Sequence, residues 1–151
     1  MLTFLPVAVL VGSGITAGVL FAVALSVLPG LRAMPADRYV YTHQLLGRHW
    51  DPTMPVIVLS STLLDILLAV CTDHDRARPL WASAAVLLLV VSVVSHFCNV
   101  PLNRQVKTLD PERIPPDWQD PRPVWRRWHL LRTAVAVAAL AVNAAALAVS
   151  V

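Results

Sequence analysis

The chain has 151 residues, of which 57% are hydrophobic and 14% charged, with a formal net charge of +3 and a mean hydropathy of +0.65. Soluble domains carry about a quarter charged residues, so a soluble globular domain is excluded. The basic excess comes without an aromatic-plus-basic stripe that could stack on bases, so nucleic acid is not an expected partner.

The apolar residues fall into long runs, and each approaches the roughly 20 residues a helix needs to cross a hydrocarbon core. Leu5–Leu28 comes first, without a charge. Met1–Leu28 also lacks Lys and Arg, so it lacks the basic start of a secretory signal and reads as a retained membrane helix. Gly12, Gly14 and Gly18 on it invite close helix packing. The segment after Pro35 predicts a short interfacial helix over about 37–50, capped by Asp37. Its Tyr39, His43, Leu46 and Trp50 recur at helical spacing, and Tyr and Trp suit the bilayer interface. The second span is Pro55–Cys71, interrupted only by Asp65. A carboxylate there is costly unless partnered. An interhelical hydrogen bond to a residue such as Thr16 is expected, with proton handling as the alternative.

The third span, Leu80–Cys98, ends on a polar face of Ser92, His96, Asn99 and Asn103 at spacings of four, three and four. Pro101 within that stretch predicts a broken last turn, of the kind that lines cavities. The connection over 99–128 contains Pro111, Pro115, Pro116, Pro121 and Pro123, which exclude a regular helix there. Trp118, Trp125 and Trp128 favour its being ordered on the mouth of the bundle. The last span covers about 129–151 and opens with His129 and Arg132 on one face, with Asn143 further along it.

These runs are Ala/Leu/Val blocks, not short alternating strands. The fold class is therefore all-α, a single membrane domain built as a four-transmembrane-helix bundle embedded in a lipid bilayer. Arg32, Arg38 and Arg48 lie in the first loop, and Arg104, Lys107, Arg113, Arg122, Arg126 and Arg127 in the third. The positive-inside rule places both loops in the cytoplasm and both termini outside an inner or plasma membrane. Cys71 and Cys98 would then lie near opposite faces, too far apart for a disulfide.

The polar residues define the candidate site. A neutral imidazole at His129 can act as a base, and the Arg132 guanidinium can hold an oxyanion, with Asn99 and Asn103 beside it. Trp118, Trp128, His96 and His43 would line the substrate side. Each also has a plainer role: Arg132 can snorkel to head groups, His129 can bond a loop carbonyl, and the asparagines can cap a helix end. His43, His49, His96 and His129 share the cytoplasmic half without a compact ligand motif. His43, His96 and His129 could converge on a metal, so a His-ligated metalloenzyme stays open.

The pieces Asn99-x-Pro101-x-Asn103, Trp118 and Trp128-His129-x-x-Arg132, with Gly14, Gly18 and Phe21 on the first helix, resemble the anthrone oxygenase-like family of small four-helix membrane proteins. The resemblance covers nearly the whole chain. It implies oxidation of anthrones to anthraquinones in aromatic polyketide biosynthesis, with dioxygen as co-substrate and without an established organic cofactor. A membrane-bound monooxygenase for a small apolar substrate is the resulting expectation. A non-enzymatic membrane subunit or small-molecule-binding protein is the alternative. A channel is disfavoured, since four helices make a thin bundle unless the chain forms a homo-oligomer.

Overall fold

A computed structural model describes residues 4–48, 50 and 52–150, and 81% of the chain is helix. Four helices are long and apolar enough to cross a membrane, and the protein is an integral membrane protein. They are α1 (Leu5–Ala33), α3 (Thr53–Cys71), α4 (Arg78–Lys107) and α5 (Arg122–Ala148). The short α2 (Ala36–Leu46) lies between the first two spans. α1 packs on α3 and α5, and α4 packs on the same two, so α1 and α4 face each other across the bundle.

At one end the bundle is closed. Val9, Leu68, Ala77, Trp81 and Ala146 interlock there beside the short α3–α4 loop. Gly12 allows the close approach of α1 and α3, because a Cβ at that position would collide with Ser61 Oγ. Gly18 has open space around it and is not a packing glycine. Asp65 and Asn143 meet in this dry region, fully buried, with Asn143 Nδ2 donating to Asp65 Oδ2 at 3.5 Å. The expected partner Thr16 instead donates to its own helix, at Gly12 O (2.9 Å). A hydroxyl four residues after a carbonyl is always within reach of it, and Ser13, Ser61 and Thr62 bond their own helices the same way.

The other end departs from ideal helix twice. α1 widens into a π-turn at Val23–Val27, just before Pro29, and α4 does so at Ser95–Asn99, just before Pro101. A proline ring clashes with the carbonyl four residues back, and one widened turn relieves the clash while the helix continues. The expectation of a helix broken at Pro101 is thereby corrected: α4 runs through it to Lys107. α5 likewise starts at Arg122 and not near 129, since Pro121 and Pro123 occupy its N-cap and first turn, where proline costs no hydrogen bond.

α2 ends at Leu46, before Gly47, and Asp37 lies in its first turn without capping it; Pro35 is the N-cap. The connection after α4 is ordered, as the tryptophans suggested. Gln44 Nε2 donates to Val106 O (3.0 Å) in the last turn of α4 and to Leu109 O (2.8 Å) just beyond it, tying α2 to that helix end. Arg122 does the same for α1, donating to Leu31 O (3.1 Å) and Met34 O (2.6 Å). It also pairs with Asp120 at 2.7 Å and lies 4.8 Å over the Tyr39 ring. Trp118 packs against Tyr39 from outside. Burial, and then the nearby Asp120, push the Tyr39 phenol up to about 12. Both cysteines are free.

Candidate functional site

Between the two π-turns lies a mostly apolar cavity of about 490 Å³. Small-molecule sites typically span roughly 300–1,000 Å³. Walls come from α1 (Leu20, Val23), the start of α3 (Val58, Leu59), the second half of α4 (Val93, Phe97) and the first turns of α5. His43 and Trp50 line it from the α2 side.

Its polar centre is a pair one helical turn apart on α5. Arg132 donates from Nε and Nη2 to His129 Nδ1, at 3.2 and 2.9 Å. Both guanidinium nitrogens can only donate, so Nδ1 accepts and the ring proton sits on Nε2. Nε2 then donates to Leu20 O at 3.1 Å, in the turn of α1 that precedes its π-turn. From its other side Arg132 Nη1 donates to Ser95 Oγ at 3.2 Å, in the π-turn of α4. The pair therefore ties the π-turn of α4, and the turn of α1 just before its own π-turn, to α5. Thr133 adds a longer contact to the same Leu20 carbonyl, at 3.4 Å. Among the described residues no carboxylate pairs with Arg132, and its guanidinium lines the cavity.

Aromatic rings line up beside this pair. Trp125 stacks on His129, with centroids 5.2 Å apart and planes at 18°, and meets His43 edge-on at 5.8 Å. The His43 imidazole is held below its ordinary value by burial and by the charge of Lys107, with Asn103 working in the opposite direction. Neutral His43 therefore faces the cavity at physiological pH.

The structure brings together His43, His96, Asn103, His129 and Arg132 around one space. It places three other expected residues elsewhere. Asn99 is buried behind the wall, its Nδ2 3.5 Å from Trp125 O. Trp118 covers Tyr39, and Trp128 points outward, 37% exposed. The indole of Trp125 stands between His43 and His129. Among the described residues no three His, Cys, Asp or Glu side chains gather closely enough to hold a metal ion. Convergence of His43, His96 and His129 on one ion is not seen, and His49 lies outside the described residues. Sequence reasoning missed Ser95, Leu20 O and the direct role of Trp125 in the wall. The spacing of Ser95 from Ser92 and Asn99 offered one signal; a backbone carbonyl offers none.

Fold and site together define a four-helix membrane protein with an apolar cavity at one end, and in it a guanidinium that pairs with no carboxylate among the described residues. The chain matches the model of the anthrone oxygenase family over residues 43–142, and it belongs to that family. The matched stretch contains every site residue from His43 to Arg132 and leaves out only the contribution of α1. No curated protein and no solved structure matches the chain.

Proposed function

We propose that this protein is a membrane-bound monooxygenase that oxidises an apolar aromatic ketone of the anthrone type with dioxygen. Arg132 is the observation that carries this reading. A guanidinium set in an apolar cavity, with no carboxylate partner among the described residues, is strongly attracted to an oxyanion, because the surrounding medium screens poorly. Membership of the anthrone oxygenase family supports the same class of reaction.

In this proposal a substrate carbonyl oxygen lies against Arg132. A methylene C–H opposite the carbonyl breaks, and its electron pair delocalises onto that oxygen as an anthrolate. The proton goes to a neutral imidazole. His129 was the first candidate for this base, but its Nδ1 lone pair already receives Arg132 and its Nε2–H is given to Leu20 O. His129 therefore orients Arg132, and the base is assigned to His43, which lines the same cavity on the other side of Trp125. The carbanion gives its electrons to dioxygen and forms a C–O bond. The resulting hydroperoxide loses water as the remaining C–H proton leaves, giving the quinone carbonyl. The balance is CH2 plus O2 to C=O plus H2O, so dioxygen is the only co-substrate the step consumes.

The first and third loops are proposed to face the cytoplasm, from their Arg and Lys content. The test is direct: purified protein in lipid vesicles, given an anthrone, should take up one dioxygen per quinone formed, faster than the spontaneous rate. Uptake no faster than with heat-inactivated protein refutes the reading.

A further inference from the structure

The cavity has an open side, and the lengths of the helices explain where it is. At about 1.5 Å per residue, α1, α4 and α5 reach roughly 40–45 Å, whereas the 19 residues of α3 reach roughly 28 Å. The helices are level at the closed end, where α1, α3, α4 and α5 share one packed cluster. The surplus of the three longer helices therefore lies at the cavity end, beyond the start of α3. The cavity is not sealed beside the first turns of α3: residues of α3 and α4 that line it are also exposed at the surface.

The rim there is apolar. Leu59 on α3 and Val93 and Phe97 on α4 line the cavity, yet they are 54%, 46% and 70% exposed. They belong at once to the inner wall and to the outer surface. On the same faces Leu63 and Val56 of α3 and Val86 and Val90 of α4 are exposed as well, a continuous hydrocarbon-facing band on spanning helices. An opening at this depth faces lipid tails and not water. It also exposes no unpaired backbone, because helices form both sides.

We propose that the cavity opens sideways into the hydrocarbon layer, through a portal between Leu59 on one side and Val93 and Phe97 on the other. Its occupant is an apolar molecule dissolved in the bilayer, which enters laterally; a phospholipid acyl chain fills the space when no other ligand does. The polar end of an incoming molecule finds Arg132 further in. This inference rests on helix length and exposure and is independent of the oxidation chemistry.

Tryptophan fluorescence in vesicles tests it without any turnover. Three variants of the full chain each retain one tryptophan, the others being replaced by Phe. Trp125 reports the cavity wall, Trp128 the outer surface, and Trp81 the closed core, where it is 1% exposed. In phosphatidylcholine brominated on its acyl chains, Trp125 is expected to lose much of its emission, as Trp128 does, while Trp81 keeps it. Narrowing the portal with Leu59→Phe and Val93→Phe should restore the Trp125 signal and leave that of Trp128 unchanged. Leu59→Phe alone serves if the double variant loses its helical circular dichroism. Trp125 as bright as Trp81 in the brominated lipid overturns the portal, as does quenching that narrowing leaves unaltered. Quenching by aqueous iodide in place of the bromolipid also overturns it, by moving the opening to the water side.

Discussion

The same four helices behave differently at their two ends. At the closed end, Gly12 lets α1 approach α3, hydroxyls bond their own helices, and Val9, Leu68, Trp81 and Ala146 pack in one buried cluster. At the other end, Pro29 and Pro101 each follow a π-turn, α3 stops short, and a cavity remains. Buried polar groups follow the same division. Asp65 and Asn143 partner each other in the closed region, whereas among the described residues Arg132 is held by neutral groups, His129 and Ser95. At this end the helices depart from ideal geometry, and the site residues are held by Ser95, in the π-turn of α4, and by Leu20 O, just before that of α1.

The sharpest way to break this comparison is at Arg132. Arg132→Ala should lower the rate of substrate oxidation by about 10²–10³-fold, the usual cost of removing a main oxyanion donor, with helical content unchanged. His43→Ala comes next, with a loss of about 10²-fold for a positioned base. His129→Ala is expected to cost less than Arg132→Ala, because in this account it removes a support and not the charge; an equal or larger loss would return the base to His129.

Changes at the closed end should leave the oxidation rate alone and act on stability. Asp65→Leu leaves Asn143 without its partner and should cost about 1–3 kcal/mol. Gly12→Val drives a side chain into Ser61 and should cost a similar 1–3 kcal/mol. Thermal unfolding in detergent reads both, and a large rate loss in either variant would erase the division between the two ends.

The smallest effect is in the pH profile. Burial and Lys107 hold His43 below its ordinary 6.5, so its neutral form persists into mildly acidic solution. The acid limb of the rate profile should therefore lie below pH 6.5. The same shift means the unfolded chain binds more protons than the folded one between the lowered value and 6.5, so stability falls as pH drops through that window.

The spans were legible because their apolar runs stand out against a chain otherwise rich in Arg and Pro, and the His129–Arg132 pair was legible from its spacing on one helix. The helix ends were harder. Pro101 and Pro121 read as breaks, whereas one is absorbed by a π-turn and the other starts a helix, and both outcomes depend on packing that a single sequence does not display. Trp125 was misplaced for that reason, being read as part of a loop. Asn99, Trp118 and Trp128 have the right residue types near the site, but helix rotation turns Asn99 and Trp128 elsewhere, and the connection before α5 lays Trp118 on Tyr39. The cavity is walled by all four spans, and it becomes visible only once the helices are set side by side.

The most direct test of the central claim is the acidity of a phenolic ligand inside the cavity. A hydroxyanthraquinone changes its absorption band when its phenol ionises, so its titration can be followed while it is bound to the protein in vesicles. The account predicts that the wild-type protein lowers the pKa of the bound phenol relative to the same ligand in protein-free vesicles, and that Arg132→Gln abolishes the shift. A ligand that binds with the same pKa to both proteins would contradict the assignment of Arg132 as the group that holds the oxyanion.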